Sequence, residues 1–188
     1  MTISEYLNKI YPLSKEQSLE IENKTSFKEC KAGEYIIMQG KICRKLIFLQ
    51  NGTMASIYEN DRKTFIKDFI LDYNMASVYD SFIMQSPAKY SLLAVTQSTY
   101  QYINYNDLSE LYKKIPILYK IAKVLTDELY INVTRRMESL TLLTAEARYL
   151  ELLNERPILL EKVPLYMVAS YLGITDVALS RIRARVIK

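Results

Sequence analysis

The spacing of apolar residues changes near Asn104 of this 188-residue chain, and that change constrains the class of fold. Before it, apolar residues come in short β-type runs at 35–38, 46–49, 55–58, 64–71 and 100–103. Lys31-Ala32-Gly33-Glu34, Gln39-Gly40-Lys41 and Gln50-Asn51-Gly52 separate the first of these runs, and each glycine can take the positive φ of a tight turn. Short strands joined by regular turns predict an antiparallel roll or barrel. After Asn104 apolar residues recur every three or four positions, the period of a helix face. The chain is thus expected to be α+β, with an N-terminal antiparallel β-roll and a helical remainder. Residues 1–27 read as a short helical lead-in, with Ser14 placed to cap the helix that follows Pro12.

In the helical part, Asn106 or Asp107 is placed to cap the first helix, with Leu108 and Leu111 facing inward. Pro116 then begins a segment in which Leu118, Ile121, Ala122, Leu125, Leu129, Val133, Met137 and Leu140 form one apolar stripe. A helix of about 25 residues rising ~1.5 Å per residue reaches about 40 Å, more than a small domain needs for its own core. The excess predicts a homodimer seam carrying Leu118, Ile121, Leu125, Leu129 and Leu140, with Asn132 and Arg136 as polar residues that fix register. The alternative is a monomer whose helix lies on its own domain. Thr144 is placed to cap a further helix, with Glu146 in its first turn, and Pro157 stops it. The expected division is a β-roll at 1–115, a dimerisation helix at 116–143 and a small helical domain at 144–188.

Composition removes several classes of function. The chain has no histidine, so it lacks the usual general base near neutral pH and the commonest nitrogen ligand for metals. Its two cysteines, Cys30 and Cys43, are too few for a four-thiolate zinc or iron–sulfur site. We therefore expect no metal, no cofactor and no enzyme, with both thiols as small core residues in a reducing cytoplasm. Neither a basic signal-peptide start nor an apolar run of ~20 residues is present, so no membrane association is expected. A net charge of +4 is mild, but Arg181, Arg183, Arg185 and Lys188 crowd the last eight residues without an acid among them.

That basic end belongs to the most specific stretch of the chain, 165–185, which reads as helix, turn, helix. Val168 and Leu172 share one face of the first helix, Leu179 and Ile182 share one face of the second, and Ile174 fills the corner. Ala169 permits close helix approach, Gly173 permits a left-handed residue, and Thr175 can cap the second helix. Opposite Leu179, Ile182 and Val186 stand Val177, Arg181, Ala184 and Lys188, flanked by Ser180 and Arg185. A plain helical hairpin needs no basic outer face. A reader of double-stranded DNA does: Arg181 can bridge guanine O6 and N7 and Val177 can meet a thymine methyl. Thr175, Ser180, Arg183, Arg185 and Lys188 suit phosphates.

With these motifs in place the whole chain resembles the Crp/Fnr superfamily of bacterial transcription regulators. The resemblance rests on Gly33, Gly40 and Gly52 in Ala-Gly-Glu-Tyr-Ile-Ile-Met-Gln-Gly and Leu-Ile-Phe-Leu-Gln-Asn-Gly, and on Thr144-Ala-Glu-Ala-Arg-Tyr-Leu. More sharply, it rests on Val163-Pro-Leu, Ala169-Ser-Tyr-Leu-Gly-Ile-Thr and Leu179-Ser-Arg-Ile-Arg. It implies a cyclic-nucleotide-binding-like roll, a dimerisation helix and a winged-type helix-turn-helix on a palindromic operator. Two departures stand out. Members that bind cyclic AMP carry a Gly-Glu pair and an Arg after a Pro; here Ala88 follows Pro87, and Lys89 lacks the planar fork of an arginine. The chain also stops at Lys188, where the family commonly continues into a wing, so the wing is expected to be reduced or absent.

Tyr73, Asn74, Tyr79, Asp80 and Lys89 could line a pocket for another small-molecule effector or form a solvated loop over a filled roll; their mixed polarity favours the loop. The leading expectation is a cytoplasmic, homodimeric DNA-binding regulator that does not respond to cyclic AMP. The alternative is a β-roll sensor or interaction module whose helical tail binds a protein partner.

Overall fold

The computed structural model describes residues 1–60 and 63–186. Two short helices lead, α1 (Ile3–Ile10) and α2 (Lys15–Asn23), each begun by a reciprocal capping box. The Ser14 hydroxyl accepts from the Gln17 N–H at 3.1 Å, and the Gln17 side chain accepts from the Ser14 N–H at 2.9 Å, in agreement with the cap read from sequence. The strands follow as β1 (Thr25–Cys30), β2 (Tyr35–Ile37), β3 (Lys45–Asn51), β4 (Met54–Asn60), β5 (Lys63–Ile70) and β6 (Asn74–Ala76). After α3 (Tyr79–Met84) come β7 (Ser91–Ala94) and β8 (Ser98–Asn104). They form two antiparallel four-stranded sheets, ordered β1-β8-β3-β6 and β2-β7-β4-β5, which is the expected roll.

The apolar run in β3, together with Met54, Leu92, Tyr100 and Ile103, fills the space between the sheets, where the free thiols Cys30 and Cys43 are also buried. Helix α4 (Tyr105–Lys114) closes the roll with Leu108 and Leu111. Neither Asn106 nor Asp107 caps it. Strand β8 runs straight into the helix, the Tyr105 N–H is held by the Arg44 carbonyl at 2.9 Å, and Asn104 takes the cap position without a side-chain cap bond.

Helix α5 (Ile117–Leu142) is the long helix expected, but its stripe divides between different neighbours. Leu118 and Ile121 are only 4% and 1% exposed, sealed into the core of their own roll, and Leu125 packs against the same core. Leu140 is half-buried beside the Gly173 corner. Of the five residues assigned to a dimer seam, Leu129 alone is exposed. The open apolar row consists of Leu129, Val133 and Met137, four residues apart, with Tyr130 alongside. Periodicity marked residues that share a face; burial by the roll takes the first turns of that face away from any partner.

The remaining helices are α6 (Ala145–Glu155), α7 (Leu159–Lys162), α8 (Leu165–Leu172) and α9 (Asp176–Val186). Thr144 caps α6 as its position suggested, accepting from the Ala147 N–H at 3.2 Å. These helices share one apolar cluster, to which the roll contributes Ala55, Ile57, Ile66 and Phe69 from β4 and β5. No helix of the described residues is long and apolar enough to cross a membrane.

Candidate nucleic-acid interface and adjoining cavity

The corner between α8 and α9 is built as its residues require. Gly173 stands at φ +70°, and its N–H and that of Ile174 return to the carbonyls of Ser170 at 3.1 Å and Ala169 at 3.0 Å, so these two acceptors at the helix end keep partners. The Thr175 hydroxyl accepts from the Ala178 N–H at 3.2 Å and starts α9. Val168, Ala169, Leu172, Leu179 and Ile182 are all buried between the helices. With Leu179 and Ile182 turned inward, α9 must turn its other face out: Val177 is 62% exposed, and Thr175, Ser180 and Arg181 are exposed with it.

The remaining basic residues differ among themselves. Arg185 is exposed and reaches back to Glu146, Nη1 to Oε2 at 3.5 Å, an ion pair that a phosphate could displace. Arg183 is half-buried, with its Nε shielded from solvent. Lys188 lies outside the described residues. Arg136, read from sequence as a register-fixing residue of a dimer seam, instead turns onto α8, donating to the Tyr171 carbonyl and lying 3.7 Å from the centre of the Tyr171 ring. Asn132 is exposed and lines the cavity between α5, the roll and the C-terminal helices.

A cavity of about 1360 Å³ runs between the roll, α5 and the C-terminal helices. Its roll end is lined by Ser56, Tyr58, Lys67, Tyr79, Asp80 and Tyr90. Lys67 Nζ stands 4.1 Å from the centre of the Tyr90 ring, and burial lowers its pKa below the ordinary lysine value. Burial, with a smaller contribution from Asp80, raises the Tyr90 hydroxyl well above the ordinary tyrosine value. The Tyr79 hydroxyl meets that of Thr126 on α5 at 3.3 Å, tying α3 to the long helix.

Neither sequence reading of the 72–91 stretch holds for all of its polar residues. Asn74, Tyr79 and Asp80 line the cavity, whereas Tyr73 and Lys89 are exposed and stand outside its walls. Ala88 is buried, its N–H held by the Lys41 carbonyl and its carbonyl by the Gly40 N–H at 2.9 and 2.8 Å, with no guanidinium to offer. Among the described residues, the cation that does line the roll end is Lys67, which sequence reasoning missed. A shift in the β4–β5 register between Ser56 and Ile57 interrupts the simple alternation of β5 near this residue. The polar pair Lys67-Asp68 set between Phe65-Ile66 and Phe69-Ile70 was the available signal.

No protein-family model matches the chain, and no curated protein matches it. Solved structures do. The c-di-GMP responsive global regulator CLP of Xanthomonas campestris is 16% identical, with a TM-score of 0.73 over 92% of this chain and 91% of CLP. FixK2 from Bradyrhizobium japonicum is 14% identical, with a TM-score of 0.73 over 86% of this chain and 83% of its own. A chain described as a Crp/Fnr-family transcriptional regulator from Eubacterium rectale is 15% identical, with a TM-score of 0.74 over 95% of this chain and 85% of its own. The chain therefore has the fold of Crp/Fnr regulators, an α+β fold with a cyclic-nucleotide-binding-like roll.

Proposed function

We propose that this chain is a homodimeric, sequence-specific DNA-binding transcription regulator that does not take cyclic AMP as its effector. The observation that carries the reading is the outer face of α9. Val177, Ser180 and Arg181 are exposed on a helix whose inner face is locked by Leu179 and Ile182 and whose start is held by Gly173 and Thr175. A helix so mounted fits the major groove, which is about 12 Å wide, with Arg181 on a guanine and Val177 against a thymine methyl. Thr175 and Arg185 take phosphates, as does Arg183 once its side chain swings out. The regulators of like fold support the class.

The dimer forms along Leu129, Val133 and Met137, the apolar row that the roll leaves open. Among the described residues, the roll end of the cavity offers Lys67 and several tyrosines in place of an arginine fork, which suits an effector of another chemistry than a cyclic nucleotide. Selection of bound sequences from a random DNA pool tests the reading. The expected product is a palindrome with half-site centres ~34–36 Å apart, bound with an affinity that falls steeply with salt. Arg181→Ala should lose ~1–3 kcal/mol on that site and relax one base pair per half-site. Equal loss on random DNA makes Arg181 a phosphate contact, and a pool that yields no consensus refutes the function.

A further inference from the structure

Strand β5 is the edge of its sheet, paired with β4 on one side only. An edge strand carries a row of unpaired N–H and C=O groups, costly when buried and a template for wrong pairing when exposed. Here α8 covers that row. The Ile66 N–H donates to the Ser170 hydroxyl at 3.1 Å, and the same hydroxyl donates to the Thr64 carbonyl at 2.9 Å, so one serine does for this stretch what a neighbouring strand would do. Farther along, Arg156 donates to the Phe69 carbonyl at 2.5 Å and to Asp68 Oδ1 at 2.8 Å. Beneath these bonds Ile66 and Phe69 share a core with Val168, Ala169 and Leu172. Undocking α8 would expose that apolar surface and strip partners from two backbone groups together, the Ile66 N–H and the Thr64 carbonyl.

The last turn of α8 is fastened from the other side as well. Arg136 of α5 donates to the Tyr171 carbonyl and stacks on its ring, while Arg148 Nε donates to the Leu172 carbonyl at 2.9 Å. Ser170, Tyr171 and Leu172 immediately precede Gly173, the corner from which α9 departs. The outer face of α9 stays free while all these contacts are made.

We propose that β5 positions the recognition helix. By holding α8 at the sheet edge, it sets the distance and angle at which the two α9 helices of a dimer meet DNA, and so sets the half-site spacing the protein accepts. Ser170 and Arg136 are positioning residues; they act through α8 without touching DNA. The inference rests on the DNA-reading function proposed above.

The test uses the full chain and two readouts. Ser170→Asp would set a carboxylate against the Thr64 carbonyl, whereas Ser170→Thr keeps the hydroxyl. Spin labels on cysteines placed at exposed Leu19 and Ser180, in chains diluted with unlabelled protein, report the roll-to-α9 distance without DNA. A DNA library with half-sites at varied separation, probed with unlabelled variants, reports spacing. Wild type and Ser170→Thr should show one narrow distance and one preferred spacing. Ser170→Asp should broaden both, losing about tenfold or more on the preferred spacing and less than about twofold on a single half-site, because only the effective concentration of the second helix has fallen. An unchanged distance and an unchanged spacing preference in Ser170→Asp overturn the proposal. A wild type that selects no DNA overturns the DNA reading instead, recognisable because the distances still report a docked α8.

Discussion

Replacing Leu129 and Val133 together by Glu is the sharpest perturbation of the dimer, because the two differ from the rest of the stripe in what covers them. They are 41% and 48% exposed, so roughly half of each side chain remains to be buried by a partner. Full burial of a leucine or valine is worth ~1.5–3 kcal/mol, so each contributes ~0.75–1.5 kcal/mol. A two-fold seam counts each position twice, and the four side chains together supply ~3–6 kcal/mol. At about 1.4 kcal/mol per tenfold, the double variant should associate ~100- to 10,000-fold more weakly, before any repulsion between facing carboxylates. Sedimentation equilibrium should show wild type at about twice the 22.0 kDa chain mass and the variant at the chain mass. Its thermal melt should keep the fold of the roll, since neither side chain is in the core. Ile121→Ala provides the contrast: at 1% exposure within the roll it should lose ~2–5 kcal/mol of folding stability instead. A wild type that stays monomeric at tens of micromolar, or a double variant with unchanged association, refutes the reasoning.

Thr175→Ala should lower folding stability by ~1 kcal/mol and weaken DNA binding, seen as a lower melting temperature and a higher Kd; an unchanged melt would mean that the α9 cap is idle. Calorimetric titration with cyclic AMP should give no heat of binding, since among the described residues the roll end of the cavity sets out neither an arginine fork nor a ribose-binding glutamate; saturable micromolar binding would assign Lys67 or Lys89 that role. Burial, reinforced by Cys30, Glu34 and Tyr102, pushes the Tyr100 hydroxyl from 10.0 up to about 12. Because the folded pKa is the higher one, this stabilisation is full below pH 10 and is lost as the pH rises through about 12. Tyr100→Phe should therefore flatten the alkaline fall of the urea midpoint, and identical slopes would contradict the assignment.

The features legible in the sequence are those that a segment decides within its own few turns. Ser14, Thr144 and Thr175 cap helices because a hydroxyl before a helix finds the N–H three residues on, whatever lies elsewhere. Gly173 and the pairs Val168/Leu172 and Leu179/Ile182 made the corner readable, since i, i+3 and i, i+4 spacing places residues on one face. Strand β1 escaped notice because most of its Thr-Ser-Phe-Lys-Glu-Cys run is exposed, and only its pairing with β8 makes it a strand. Periodicity likewise identified the apolar face of α5 but not the body that covers it. The roll takes Leu118 and Ile121, the Gly173 corner takes Leu140, and Leu129, Val133 and Met137 stay open. Tertiary structure alone brought Lys67 rather than Lys89 to the cavity, turned Arg136 onto Tyr171 and set Ser170 on the edge of β5. Those contacts join residues up to 106 positions apart, and a partner at that distance leaves no mark on local spacing.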